Sequence, residues 1–130
     1  MKKVAVLGAN GYIARNLIYV LKRDYPDFEL ALYGREKQFV DGEGNYCVID
    51  MTDAESVKSI DLDVDIVFMF VGRTGSANGF DEYDSFIDIN ERTLLNLLSE
   101  YRRQRSKARI IYPSTRLVYK GKTGAQKEDA

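Results

Sequence analysis

The sequence contains no histidine and only one cysteine, Cys47, in 130 residues. A single cysteine cannot form an internal disulfide, and this thiol content fits a reducing compartment, so we expect a cytoplasmic protein. Without histidine, the chain lacks the side chain that most often transfers protons near neutral pH. A structural zinc site would also have too few nitrogen and sulfur ligands, so no metal site is expected.

Long apolar runs are absent as well. No run approaches the roughly 20 residues that a membrane-spanning helix needs, and the apolar run after Lys3 is too short for a signal peptide. The 19 basic and 20 acidic residues nearly cancel, which gives a net charge of -1. We therefore expect no nucleic acid and no membrane surface as a partner. A hydrophobic fraction of 45% in a chain of this length predicts one folded domain.

Short apolar runs alternate with amphipathic stretches along the chain. The runs predict strands at 4–7, 29–33, 46–49, 65–71 and 109–112. A helix should follow the first strand and end before Pro26. The segment from Thr52 to Glu55 matches a capping box and predicts the start of a short helix, and a long helix is expected over 82–103. Two apolar stripes are predicted: Ile13, Leu17, Val20 and Leu21, then Ile87, Asn90, Leu94, Leu97, Leu98 and Tyr101.

This alternation predicts right-handed crossovers and a parallel sheet. The run from Asp65 to Val71 has no polar alternation, as expected for a strand buried on both faces. We predict an α/β fold of the Rossmann type, a three-layer αβα domain over 1–130 with a doubly wound sheet in the order 3-2-1-4-5. No sixth strand is found, so we expect a truncated chain whose fifth strand is an open edge for self-association.

A glycine turn stands between the first strand and the first helix. In Gly8-x-x-Gly11-x-x-Ala14, the first glycine permits a tight turn and the second permits close approach of a pyrophosphate. The alanine allows the helix to lie close to the sheet, and the helix start offers free amides to phosphates. An ordinary turn with two glycines is the alternative, but the strand and helix on either side favour a dinucleotide site. The candidate binding residues are Gly8, Asn10, Gly11, Tyr12 and Ile13.

The end of the second strand should distinguish NAD from NADP. Many NAD sites place a carboxylate there against the ribose 2′-hydroxyl, whereas this chain has Tyr33-Gly34-Arg35. Glu29 opens the strand and so belongs at the opposite end of the sheet. Arg35 could pair with a 2′-phosphate, or it could be an ordinary solvated arginine. We predict NADP or NAD, with a slight preference for NADP.

Taken together, these segments resemble the extended short-chain dehydrogenase/reductase family, and most closely its NAD(P)-dependent epimerases and dehydratases of nucleotide sugars. The glycine spacing is that of the family. Four later segments are also similar to its patterns: Asp50-Met51-Thr52-Asp53, Val71-Gly72, Asn90 with Asn96-Leu97-Leu98, and Tyr112 to Tyr119 with Ser114 and Thr115.

The resemblance implies roles for several residues. Asp50 and Met51 would contact the adenine, and Val71 and Gly72 stand where the family has paired alanines. Asn90 would lie near the cofactor, although it could equally be a buried amide bonded to neighbouring backbone. Thr115 would bond a reacting substrate oxygen, with Ser114 as the alternative if the register is shifted by one.

Two departures from the family pattern affect the functional hypothesis. Thr93 and Leu94 replace the family's Gly-Thr pair in the long helix. The catalytic Tyr-x-x-x-Lys of the family is expected beyond Thr115, and the chain ends before it. We therefore expect this chain to bind the cofactor but to turn over poorly, without the C-terminal substrate domain.

The resemblance supports one principal hypothesis, the NAD(P)-binding domain of a nucleotide-sugar epimerase, dehydratase or reductase that acts by hydride transfer. A non-catalytic NAD(P)-binding sensor or regulatory module is the alternative. A flavodoxin-like or receiver domain could share the sheet order, but a receiver needs acidic residues at the end of the first strand. This chain has Gly8-Ala9-Asn10 there.

Overall fold

The computed structural model describes residues 2–41, 45–71 and 91–113. The five strands form one parallel sheet in the order β3-β2-β1-β4-β5, which confirms the predicted Rossmann-type topology. The fourth strand differs most from its prediction, since it ends at Met69 rather than Val71. The strands are β1 (Lys3–Leu7), β2 (Glu29–Gly34), β3 (Tyr46–Val48), β4 (Ile66–Met69) and β5 (Arg109–Ile111), and the helices are α1 (Tyr12–Asp24), α2 (Ala54–Val57) and α3 (Thr93–Arg103).

The register brings the carboxyl ends of three strands to one edge of the sheet. Leu7, the last residue of β1, pairs with Tyr33 of β2 and with Met69 of β4. Glu29 pairs with Lys3 at the opposite edge, as its position at the start of the strand predicted. Loops that follow β1, β2 and β4 therefore start side by side, where doubly wound sheets place their ligands.

Helix α1 covers one face of the sheet, and Leu17 and Leu21 of the predicted stripe pack on the core there, but the rest of the stripe differs. Ala14, Ile18 and Leu21 are buried, whereas the side chain of Ile13 is 64% exposed and that of Val20 is 37% exposed. Successive helical residues are rotated by about 100° around the axis. Because the small Ala14 faces the sheet, Ile13 points towards solvent. Close approach by a small residue decided the orientation of α1, as the glycine motif itself suggests.

Helices α2 and α3 lie on the other face, which makes the domain a three-layer αβα structure. Val57 of α2 and Leu97 of α3 join the core that the other side of β1 and β4 forms. Leu94 and Tyr101 are partly buried, as predicted, but Leu98 is 42% exposed and lies outside the core. Ile87 and Asn90, the first two members of the predicted stripe, lie outside the described residues.

The start of α2 corrects the predicted capping box. Asp53, not Thr52, caps the helix, and its carboxylate accepts a hydrogen bond from the Glu55 amide at 3.0 Å. The Thr52 hydroxyl instead donates to Asp50 at 2.6 Å. The Asp53 carboxylate is thus the acceptor for the first-turn amide, while the Thr52 hydroxyl acts as a donor in the turn before the helix.

Two further points concern the surface. β5 is an edge strand of the described sheet, and Ile111 and Tyr112 are 38% and 46% exposed. Among the described helices, none has the length and apolar character required to cross a bilayer.

Candidate functional site

A crevice of 510 Å³ opens at the carboxyl edge of the sheet. It lies where the loops after β1, β2, β3 and β4 meet the beginning of α3. Its walls carry two opposite charges from the end of β2 and one carboxylate from the turn after β3. The lining residues are Gly8, Asn10, Gly11, Tyr33, Gly34, Arg35, Glu36, Ile49, Asp50, Met51, Thr52, Phe70, Val71 and Thr93.

Gly8 is required by both its backbone conformation and its surroundings. Its φ of +79° lies in the left-handed region that residues with a Cβ rarely adopt. A Cβ there would lie 2.9 Å from the Phe70 carbonyl oxygen, at the end of β4. The amides of Gly8 and Ala9 both donate to the Tyr33 carbonyl, at 2.8 and 3.0 Å. These two amides therefore tie the glycine loop to β2, and are not the free donors of the crevice.

The free donors lie at the start of α1. Gly11 is the N-cap, in an extended conformation without a side-chain cap, and its own amide donates to the Gly8 carbonyl at 3.0 Å. The amides of Tyr12, Ile13 and Ala14 belong to the first helical turn, which has no intrahelical acceptors. The aligned peptide dipoles add partial positive charge there. Neither Tyr12 nor Ile13 lines the crevice, whose wall ends at Gly11, and both side chains are exposed. Of these two residues, only the amides next to Gly11 could serve the predicted role.

The side chain of Asn10 contacts protein groups on the segment after β2. Its Oδ1 accepts the Val40 amide at 2.8 Å, and its Nδ2 donates to the Gln38 carbonyl at 3.1 Å and to the Glu36 carboxylate at 3.3 Å. An asparagine side chain has two N–H donors and one carbonyl acceptor. Both kinds of group are engaged, although Asn10, a predicted cofactor contact, also lines the crevice.

Tyr46 of β3 holds the same segment from the other side. Its hydroxyl donates to the Glu36 carbonyl at 2.8 Å. A Cβ on Gly34 would lie 2.5 Å from that hydroxyl oxygen, so the absence of a side chain at Gly34 leaves room for the tyrosine to pass. Arg35 and Glu36 are thereby presented at the crevice by a segment that is bonded on two sides.

The turn after β3 presents a carboxylate. Asp50 Oδ1 accepts both the amide and the hydroxyl of Thr52, and these bonds lower the pKa of Asp50, with a further contribution from the positive charge of Arg35. The Asp50 amide donates to the Ser56 hydroxyl at 2.8 Å. Asn96 of α3 donates to the Met51 carbonyl at 2.8 Å. The Asp50 carboxylate is thus ionised near neutral pH, and α2 and α3 fix the turn that carries it.

Most of the sequence-predicted residues lie together. Gly8, Asn10, Gly11, Arg35, Asp50, Met51 and Val71 all line the crevice. Tyr12 and Ile13 do not line it, and the other four predicted residues, Gly72, Asn90, Ser114 and Thr115, fall outside the described residues.

Seven lining residues were not predicted from the sequence. Glu36 is the most consequential, because it brings a carboxylate beside Arg35. Thr93, which replaces the glycine of the family's Gly-Thr pair, is 1% exposed at the start of α3. Most of the others are chain neighbours of predicted residues at strand ends, and position at a strand end was the signal that could have found them. The seven are Tyr33, Gly34, Glu36, Ile49, Thr52, Phe70 and Thr93.

Comparison with known proteins agrees with this geometry. The sequence model of the NAD dependent epimerase/dehydratase family matches residues 4–130. None of the curated proteins matches this chain.

Several solved structures share the fold. A UDP-glucose-4-epimerase from Stenotrophomonas maltophila, with bound NAD and formylated UDP-arabinopyranose, superposes with a TM-score of 0.78 at 14% identity, over 95% of this chain and 40% of that one. A uronate dehydrogenase variant from Agrobacterium tumefaciens, complexed with NAD, gives 0.70 at 23% identity, over 88% and 41%. The ADP-L-glycero-D-manno-heptose-6-epimerase of Helicobacter pylori gives 0.72 at 16% identity, over 98% and 43%. The chain spans about two fifths of each.

Proposed function

Because the chain belongs to the NAD-dependent epimerase/dehydratase family, we propose that this domain binds a nicotinamide dinucleotide in the crevice at the carboxyl edge of its sheet. One observation carries the proposal. The free amides that begin α1 stand at the same edge as the crevice, and Gly8 and Gly11 leave the approach to them without side chains. This combination of dipole, amides and space suits a pyrophosphate.

Each end of the dinucleotide then has its own contacts. The pyrophosphate is held by the first-turn amides of α1. The adenine lies against the turn of Asp50 and Met51, whose position is fixed by hydrogen bonds from Thr52 and Asn96. Val71, beyond the end of β4, contacts the nicotinamide half. Bound NAD in two of the structural relatives supports this assignment.

The charges beside β2 favour NADP. Arg35 forms no direct ion pair within the described ranges and lines the crevice, so its guanidinium is available to a 2′-phosphate. The neighbouring Glu36 could instead accept the 2′-hydroxyl of NAD. One of its carboxylate oxygens already accepts the Asn10 amide, and its backbone carbonyl accepts Tyr46. The cation is therefore the less restrained of the two groups.

For the whole protein, we propose hydride transfer between the cofactor and a sugar carbon of a nucleotide sugar. The dinucleotide supplies the hydride chemistry, and the protein supplies position and proton transfer. Ligands named for the Stenotrophomonas relative support this substrate class. Thr115, with Ser114 as the alternative, would hydrogen-bond the reacting oxygen of the sugar. We also propose that copies associate through the exposed edge of β5, which light scattering would detect.

Titration of the purified chain with NADH and with NADPH, followed by fluorescence, tests the proposal. We expect both to bind and NADPH to bind more tightly. R35A should weaken NADPH by roughly 10-fold or more, because a charge-assisted hydrogen bond contributes about 1.5–3 kcal/mol. The matched control is K37A, which removes a neighbouring exposed cation that does not line the crevice. A folded chain that binds neither nucleotide would refute the proposal.

A further inference from the structure

The segment of residues 35–41, here called the selector segment, buries Phe39 in the core and is held to the rest of the domain by three polar anchors. Tyr46 bonds its Glu36 carbonyl, and Arg15 forms a two-pronged ion pair with Asp41 at 2.7 and 2.9 Å. The third anchor is the Asn10 side chain, which makes three bonds to the segment. Asn10 differs from the other two because it belongs to the glycine loop itself.

Only an asparagine can make all three of these bonds from this position. The Val40 amide needs an acceptor, whereas the Gln38 carbonyl and the Glu36 carboxylate need donors. An aspartate would offer acceptors alone, and it would place a second negative charge against Glu36. A serine would be too short to reach three partners. Because these bonds already use both kinds of polar group in the amide, the side chain has little left to offer a phosphate.

We propose that Asn10 is a positioning residue that fixes the selector segment to the pyrophosphate-binding loop and thereby sets the preference between cofactors with and without a 2′-phosphate. The inference rests on the proposed function. Arg35 and Glu36 carry opposite charges and stand side by side, so the preference depends on which of them reaches the ribose. By holding the Glu36 carboxylate, Asn10 keeps it from competing with the 2′-phosphate for Arg35.

The first test compares the ratio of the NADH and NADPH dissociation constants among variants. N10A should lower the ratio of Kd for NADH to Kd for NADPH at least 5-fold, since the released carboxylate then opposes the 2′-phosphate. N16A is the matched control. It also removes an asparagine side chain from this region, but one whose bond among the described residues is to the Tyr12 carbonyl within α1, and it should leave the ratio unchanged. Equal weakening of both nucleotides by N10A would show a direct cofactor contact and overturn the inference.

A second test exchanges the donor and the acceptor of the hydrogen bond between residues 10 and 36. In N10D, the two carboxylates face each other, and the ratio should fall at least as far as in N10A. In N10D/E36Q, the glutamine can donate to the aspartate, and the ratio should return to within 2-fold of that in E36Q alone. A double variant that stays as low as N10D would contradict the positioning role.

Hydrogen exchange without cofactor separates this inference from the proposed function. The Val40 amide should exchange at least 10-fold faster in N10A, because it loses its acceptor, and should stay protected in N10D, which keeps Oδ1. Unchanged Val40 exchange in N10A would overturn the inference whatever binds. Failure of the parent chain to bind either nucleotide would instead overturn the proposed function. The exchange of the Val40 amide would then still show whether Asn10 holds the selector segment.

Discussion

Replacing Gly8 by alanine should destabilise the domain strongly. A left-handed backbone costs a residue with a Cβ about 1–2 kcal/mol. The new methyl group would also lie 2.9 Å from the Phe70 carbonyl oxygen and 3.1 Å from the Val71 amide nitrogen. Both neighbours are backbone atoms at the end of β4, so they cannot move aside as a side chain would. Overpacking of this kind costs about 1–3 kcal/mol, which brings the expected loss in unfolding free energy to about 2–5 kcal/mol.

Urea denaturation followed by circular dichroism would measure this loss as a decrease in the midpoint concentration with an unchanged slope. G11A is the matched control. Gly11 has a φ of -69°, which any residue adopts, and a Cβ there would lie 3.4 Å from its nearest neighbour, the Gly8 carbonyl oxygen. It should change stability by under about 1 kcal/mol but weaken dinucleotide binding, because the methyl group would stand in the pyrophosphate approach. If G8A were as stable as the parent chain, the account of this loop would be wrong.

Three further predictions concern the supports of the sheet and of the site. Q104A should lower the unfolding free energy by about 2 kcal/mol in thermal or urea unfolding, because Gln104 accepts the Leu62 amide and donates to the Ile60 carbonyl, and both groups would lose a partner. Y46F should cost about 1 kcal/mol by the same assays, through the lost hydrogen bond to the Glu36 carbonyl; no effect on stability would contradict that bond. Glu100 is 5% exposed, and its hydrogen bonds with the neighbouring arginine lower its pKa below the ordinary 4.5. Its contribution to stability is therefore complete above about pH 4.5 and lost as the pH falls through the lowered value, so the stability difference between the parent chain and E100Q should shrink over that range.

Local sequence patterns were sufficient where short-range sterics dominate. The glycine spacing located the loop because the positive φ of Gly8 is a local backbone requirement, although the close approach of Phe70 to Gly8 depends on the tertiary structure. Patterns that depend on rotation about a helix axis were less reliable. In α1, Leu17 and Leu21 of the predicted stripe pack on the core but Ile13 and Val20 are exposed. The predicted capping box also fails at its first residue, because Asp53 and not Thr52 caps α2.

Pairing across the sheet brought other residues into the site. Glu36 follows the end of β2 by two positions and belongs to no motif, so the sequence alone does not indicate it as a site residue. It enters the crevice because Asn10 and Tyr46, which lie 26 and 10 positions away in the chain, both bond it. Such long-range bonds leave no periodic signal in a single sequence.

The sequence by itself determined the class of fold, the strand order and the place of the glycine loop, since hydrophobic periodicity and glycine sterics act over a few neighbouring residues. Only the tertiary structure decided which charges line the crevice beside β2 and what the Asn10 side chain holds. Parallel register aligns the ends of β1, β2 and β4, and side chains far apart in the chain then meet at distances that local propensity does not encode.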